Sequence, residues 1–358
     1  MKPEPDTYQD IVRYDRAAVE HGRREELVPC AIQPRDLEII EAVRQHKFLT
    51  SPQLLELWWE GAAVQVGRRR LAKLFAAGYI DRFRPVARRG SFPWTYRLGR
   101  EGHRLLQRTG TVTVAERFEP PEIYDYRYVL HHVHLNAWVM AWRRLLGDQL
   151  LRWEGELQVD PPPKPLAARR QGGGADDPMG LRDPRRRPIR PDAVLEVAAR
   201  GSELPHTFLI EYDRTRRVDK NFDKFRRYDT FATAWWRDSP YAGAERPPWI
   251  VFVCQNAEQR DRFLHSADQE ITGTTLGAEH DADGPEFPCR RRLLFVSEAS
   301  MHAGQAIARR LPDVPLTHRA RRSTAPTPTV VRLPGHRVTD DPAPAAPIPI
   351  PTPEVTAP

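Results

Sequence analysis

Cysteine and lysine are scarce in this 358-residue chain. Its three cysteines, Cys30, Cys254 and Cys289, are too few and too far apart for a disulfide framework or a paired metal motif. Lysine occurs only at Lys2, Lys47, Lys73, Lys164, Lys220 and Lys224, while arginine is abundant, as a GC-rich genome would give. Arginine content alone therefore says little about nucleic acid. No apolar run approaches transmembrane length, and residues 1–32 lack the apolar stretch of a signal peptide. The expectation is a cytoplasmic protein with no membrane partner. The chain has no Walker A loop, no dinucleotide-binding fingerprint and no Ser-His-Asp arrangement, which argues against an ATP-driven motor or a common hydrolase. His131, His132 and His134 cluster, but no Cys or His recurs with ligand spacing, so a structural or ordinary surface role is the better reading there.

What is present is localised charge. The formal net charge is +7, yet residues 31–110 alone hold 15 Lys and Arg against 7 Asp and Glu. A positive field confined to one segment, with no hydrophobic anchor, points to a polyanion. In that segment Leu37, Ile39, Ile40 and Val43 recur at helical spacing. Thr50 or Ser51 followed by Pro52 reads as an N-cap with proline at the helix start. A third helix spans about residues 62–77 and stops at Gly78. On it Val64, Leu71, Leu74 and Phe75 are assigned to the core face, and Gln65, Arg69, Arg70 and Lys73 to the solvated face, with Arg68 beside them. Residues 79–85 and 92–98 read as a strand pair with a turn at Arg89-Gly90-Ser91. Three helices followed by a basic hairpin read as a winged helix-turn-helix. Gln65, Arg68, Arg69, Arg70 and Lys73 are then candidates for the DNA groove or its phosphates, and Arg82, Arg84, Arg88 and Arg89 for the backbone.

A second pattern starts near Ile123. A helix is predicted over residues 128–146, then strands near 151–159, 190–197 and 207–212. A helix over 218–236 follows, with Val218, Phe222, Phe225 and Trp235 inward. The run 249–254 is apolar throughout and reads as a strand buried on both faces. A helix over 257–265 and a last strand over 292–296 complete the pattern. The Pro-, Gly- and Arg-rich stretch 161–188 reads as a disordered insertion. The Pro-rich stretch 311–358 reads as a disordered tail. The organisation expected is α/β (α+β): a flexible segment 1–32, a winged-helix domain 33–110, a mixed-sheet domain 123–310 and the tail.

Pro191-Asp192 at one strand start and Glu211-x-Asp213 at the end of the next resemble the PD-(D/E)xK nuclease fold, the restriction-endonuclease-like arrangement. Asp192 and Glu211 would hold Mg²⁺ if that site is active. Glu154 or Glu156 could add a ligand. The lysine expected two positions after Glu211 is Asp213 here. Either the lysine function has moved to Lys220 or Lys224, four apart on one helix face, or catalysis is lost and the fold serves as a binding scaffold. A third reading makes Asp192, Glu211 and Asp213 members of an ionic network with Arg190, Arg214, Arg216 and Arg217.

Taken together, the chain resembles the plasmid replication-relaxation family. The residues that carry the resemblance are Arg35-Asp36-x-x-Ile39-Ile40, Leu71-x-x-Leu74-x-x-x-Gly78-Tyr79-Ile80, Tyr96-Arg97-Leu98-Gly99 with Gly102, His131-His132 and Arg190-Pro191-Asp192-Ala193. Phe208-Leu209-Ile210-Glu211-Tyr212-Asp213-Arg214, followed by Lys220, Lys224 and Tyr228, is the most telling run. The resemblance covers about residues 33–256 and implies Asp192, Glu211 and Asp213 as the signature acids. It also implies a role in replication, relaxation or mobilisation of a plasmid or mobile element. The partners implied are double-stranded DNA and a relaxase or another plasmid replication or transfer protein. The alternatives are a Mg²⁺-dependent DNA endonuclease or nickase using Asp192 and Glu211, and a winged-helix transcriptional repressor whose second domain makes a homodimer.

Overall fold

The computed structural model describes residues 18–59, 64–121, 123, 126–161, 187–199, 201, 203–213, 222–244, 246–271, 279–281, 284–286, 288–312 and 329–336. The stretch 161–188, all but its ends, and the positions of Arg214, Arg216, Arg217, Val218 and Lys220 lie outside these residues. The chain is α/β. It divides into two compact units between Val139 and Met140.

The first unit runs β1 (Val19–His21), α1 (Pro34–Gln45), β2 (Leu49–Thr50), α2 (Ser51–Trp58), α3 (Val64–Ala76), β3 (Ile80–Pro85), β4 (Thr95–Leu98) and α4 (Arg100–Arg108). Helix α5 (Tyr126–Leu146) contains the division between the units. Three helices and a strand pair thus follow one another as the sequence suggests. Thr50 is the N-cap of α2, in a reciprocal capping box with Gln53, and Pro52 sits in the first turn. The amide of Gln53 also donates to the carbonyl of Val133 (2.8 Å), which ties the cap to α5. Helix α3 ends as its glycine demands. Gly78 has φ +79°, its N–H donates to Phe75 O and that of Tyr79 to Leu74 O, both at 3.0 Å, the paired bonds of a Schellman stop. A Cβ at Gly78 would also lie 2.8 Å from Leu27 Cδ2. Gly78→Ala is expected to lower stability by about 1–2 kcal/mol, from the left-handed backbone and this contact, read as a shifted denaturant midpoint at constant slope.

Two expectations for this unit are corrected. Val64 is 45% exposed, and the face of α3 that packs inward is Gly67, Leu71, Leu74 and Phe75. Gly67 is there because the helices approach closely: a Cβ on it would meet Leu55 Cδ2 at 2.4 Å and Trp59 Cδ2 at 2.8 Å. The segment 1–32 is not uniformly a loose lead-in. Within it β1 pairs antiparallel with β3, Val19 opposite Pro85. Arg24 ion-pairs with Asp81 and lies 4.4 Å over the Phe75 ring. The resulting sheet has the order β1-β3-β4-β2.

The second unit contains β5 (Leu150–Glu154), β6 (Ala193–Val197), β7 (His206–Asp213), α6 (Phe222–Thr230), β8 (Trp249–Cys254) and α7 (Ala257–Glu270). It continues with β9 (Glu279–Asp281), β10 (Gly284–Glu286), α8 (Pro288–Arg292), β11 (Leu293–Ser297), α9 (Glu298–His302), β12 (Ile307–Arg310) and β13 (Thr329–Arg332). Its large sheet has the order β13-β12-β11-β8-β7-β6-β5. The β7–β8 and β8–β11 pairs are parallel and the flanking pairs antiparallel. This explains the unbroken apolar run of β8: a central parallel strand is covered on both faces. Helix α6 passes into a π-helical turn, Phe231–Trp235. Phe225, Tyr228, Phe231 and Trp235 from this stretch pack in one core cluster with Phe252, Phe263 and Phe295. The reading of 311–358 as tail is corrected at one place. Thr329-Val330-Val331-Arg332, β-branched in its middle, forms the edge strand β13 on β12.

Candidate functional site

Two sets of side chains stand out, one in each unit. In the first, α3 carries Gln65, Arg68, Arg69 and Lys73 exposed. The spacing i, i+3, i+4, i+8 makes them one stripe, opposite the buried Gly67, Leu71, Leu74 and Phe75. Arg88 and Arg89 are exposed between β3 and β4, beside Gly90 with φ +65°.

Arg70, Arg82, Arg84 and Arg97 make defined contacts within the chain. Arg70 departs from the solvated stripe. Its Nε donates to Asp36 Oδ1 at 2.8 Å, its Nη2 to Asp36 Oδ2 and to Ala31 O. Asp36 is fully buried and also accepts the Gln33 N–H at the start of α1 (2.7 Å). The bond to Asp36 raises the Arg70 pKa above the usual guanidinium value. Arg70 is thus a clamp between α1 and α3. Arg84 donates to Glu20 Oε2 at 2.8 Å and lies over the Trp94 ring at 4.4 Å. Arg82 is sandwiched between the Phe75 and Trp94 rings, at 4.3 and 4.5 Å. Such stacking fixes guanidinium planes while leaving their charge in place. Arg97 donates to Pro121 O at 2.8 Å.

In the second unit, Asp192 precedes β6 and Glu211 and Asp213 lie on β7. The sheet register brings the acids together: the N–H of Asp192 donates to Ile210 O, and Asp192 Oδ2 accepts the N–H of Tyr212 at 2.8 Å. Glu211 is 1% exposed. Its Oε2 pairs with Lys224 Nζ and its Oε1 accepts the Tyr228 hydroxyl at 2.6 Å. Lys224 and Tyr228 are one turn apart on α6, so a single helix face closes over Glu211. Burial pushes the Glu211 carboxyl up to about 7, against the pull of Lys224; Asp192 adds to the rise. Burial works against charge on Lys224 too, but Glu211, Asp192 and Asp213 outweigh it and hold its pKa above the usual lysine value. Burial and then Glu211 raise the Tyr228 hydroxyl.

The lysine that meets Glu211 therefore comes from α6 and not from the strand. The Asp213 carbonyl accepts the Gln259 amide at 3.2 Å. Glu154 is paired with Arg152. Of the arginines in the ionic-network reading, Arg214, Arg216 and Arg217 lie outside the described residues; among the described residues Glu211 pairs with Lys224. Tyr228, quoted in the sequence only as part of a motif, is a member of the site by its hydrogen bond, and its spacing of four from Lys224 was the signal. As ligands for Mg²⁺ these residues fit poorly as folded. Both Glu211 oxygens and Asp192 Oδ2 are engaged, and among the described residues no three His, Cys, Asp or Glu side chains converge as a metal set. His132 is buried with its ring 5.6 Å from Phe48, a packing role. No helix among the described residues is long and apolar enough to cross a membrane.

A family model described as replication-relaxation matches residues 40–243, more than half of the chain, and spans both the α3 stripe and the Glu211 cluster. Comparison with curated proteins and with solved structures gave no match.

Proposed function

The chain belongs to the replication-relaxation family, and from that premise we propose that it binds duplex DNA through its first unit. Membership supports a role in replication or relaxation of a plasmid or mobile element. In this reading α1–α3 and the β3–β4 hairpin act as a winged helix. Helix α3 enters the major groove, and the hairpin tip follows the sugar-phosphate backbone. Gln65, Arg68, Arg69 and Lys73 make the groove and phosphate contacts, with Arg88 and Arg89 on the backbone. Arg82 and Arg84 stiffen the hairpin and add field. Arg70 holds the fold. The observation that carries the reading is the cationic stripe of α3, exposed opposite its apolar face. Titration of a labelled duplex over a salt series tests it. Affinity should fall linearly in log–log form, as counterion release requires; no binding at low salt removes the proposal.

For the second unit we propose a binding scaffold rather than a metal-dependent nuclease. The engagement of Glu211 by Lys224 and Tyr228 supports this. The same Lys224 is also the one feature in favour of a nuclease with a relocated lysine, so the two readings need an experiment. Supercoiled plasmid incubated with the protein, with and without Mg²⁺ or Mn²⁺, is expected to stay supercoiled. Metal-dependent nicking by the wild type that disappears in Asp192→Ala would replace the scaffold reading with the enzyme.

A further inference from the structure

The second unit has a second polar region, at the end of β7 opposite Asp213. A cavity of about 800 Å³ there is lined by Arg144, His206, Phe208, Trp249, Arg332 and His336, among others. It shares His206 and Trp249 with a smaller cleft of about 240 Å³ that adds Arg246 and Arg292. Neither lining contains a carboxylate. The Arg292 guanidinium lies 4.4 Å over the Trp249 ring, and among the described residues no acid is paired with Arg292 or Arg246. Burial, and then the neighbouring Arg246, depress the Arg292 pKa to about 10. An anion received between two such cations relieves their mutual repulsion. In the larger cavity His336 Nδ1 is buried without a hydrogen-bond partner. The wall that carries it is fastened by Trp142 Nε1, which donates to Pro334 O at 3.0 Å.

We propose that this pair of cavities binds a nucleotide through its phosphate. Arg246 and Arg292 take the phosphoryl oxygens in the smaller cleft. The larger cavity, lined by Phe208 and Trp249 as well as by polar groups, takes the sugar and base. Its volume lies in the ordinary range for small-molecule sites, roughly 300–1,000 Å³. Planar guanidinium groups suit phosphate because they donate two parallel hydrogen bonds. The ligand chemistry is shared by a free mononucleotide and by the phosphorylated 5′ end of a DNA strand. The site belongs to the second unit, and the proposal does not depend on α3 binding duplex DNA.

Calorimetric titration of the full-length protein distinguishes the sources. The ligands are AMP, adenosine, and a short single-stranded oligonucleotide with and without a 5′ phosphate. For a free-nucleotide site, AMP binds at least about tenfold more tightly than adenosine, the loss expected for one charge-assisted contact. For a strand-end site, the 5′-phosphorylated oligonucleotide shows that preference over its hydroxyl form and AMP binds weakly. In either case Arg292→Gln and Arg246→Gln each weaken the phosphorylated ligand about tenfold. Arg246 is exposed, so if Arg292→Gln fails to fold, Arg246→Gln alone decides. The proposal is overturned if no phosphorylated ligand is preferred over its dephosphorylated form. It is equally overturned if the folded Arg246→Gln protein binds as the wild type does.

Discussion

Replacing Arg68, Arg69 and Lys73 together by alanine is expected to flatten the salt dependence of duplex binding by about 2–3 units of log–log slope. Each cation that neutralises one phosphate contributes about 0.9 to that slope. The same relation sets the affinity loss. At 0.1 M salt one such contact is worth a factor of about 8, so three amount to a few hundred-fold. The substitutions lie on the exposed stripe opposite Gly67, Leu71, Leu74 and Phe75, so thermal stability should change by less than about 0.5 kcal/mol each. Arg70→Ala is the contrasting control. It leaves the fully buried Asp36 without its cation, so it should cost stability on the order of 3–5 kcal/mol. It should leave the salt slope of the remaining folded protein nearly intact. An unchanged slope in a folded triple variant would refute the groove assignment, whatever its residual affinity.

The contrast between Arg69 and Arg70 marks how far the sequence could be read. Helical periodicity gave the elements, since apolar spacing is a property of one helix at a time. Thr50 with Gln53, and Gly78, were visible because caps are local chemistry. Arg70 falls on the solvated face of a single helix, and its partner Asp36, on another helix 34 residues earlier, is invisible at that level. A helical wheel favours the valine at Val64 for the core, whereas the close approach of Leu55 and Trp59 requires the glycine at Gly67. The stacking of Arg82 and Arg84 on Trp94 required the hairpin geometry. Short strands were the least legible. Val19–His21 and Thr329–Arg332 are three and four residues long, too short for an alternating pattern, and only their partner strands define them. In the acidic site, the pairing of Asp192 with Glu211 and Asp213 was readable from strand ends. The i, i+4 spacing put Lys220 and Lys224 on one helix face, but contact with Glu211 is tertiary. Lys224 makes that contact; Lys220 lies outside the described residues.

Lys224→Met should be the most damaging single change in the second unit, and its cost should depend on pH. At pH 8 wild-type Glu211 is largely ionised beside Lys224; in this variant the buried carboxylate keeps the Tyr228 hydroxyl and the nearby Asp192 but loses the cation that held its pKa down. Breaking one side of a buried pair costs about 3–5 kcal/mol when the remaining charge stays ionised, and uptake of a proton by Glu211 sets the ceiling on that cost. At pH 5 the Glu211 carboxyl, raised to about 7, is protonated in the folded protein and needs no cation, so most of the loss should be recovered. The wild type should show the same linkage in milder form. Between the ordinary glutamate value and about 7, folded Glu211 holds a proton that the unfolded chain has released. This group therefore makes the protein more stable as pH falls through that window and less stable as it rises, by an amount on the order of 3 kcal/mol. Glu211→Gln removes the titration, and its stability should lose this slope while the hydrogen bond from Tyr228 is retained. Adding Glu211→Gln to Lys224→Met should restore stability at pH 8, since an amide has no charge to compensate. Urea unfolding of the four proteins at pH 5 and pH 8 closes the cycle. Equal losses for Lys224→Met at both values would mean that Lys224 contributes packing of its alkyl stem, and that Glu211 is not the group its charge serves.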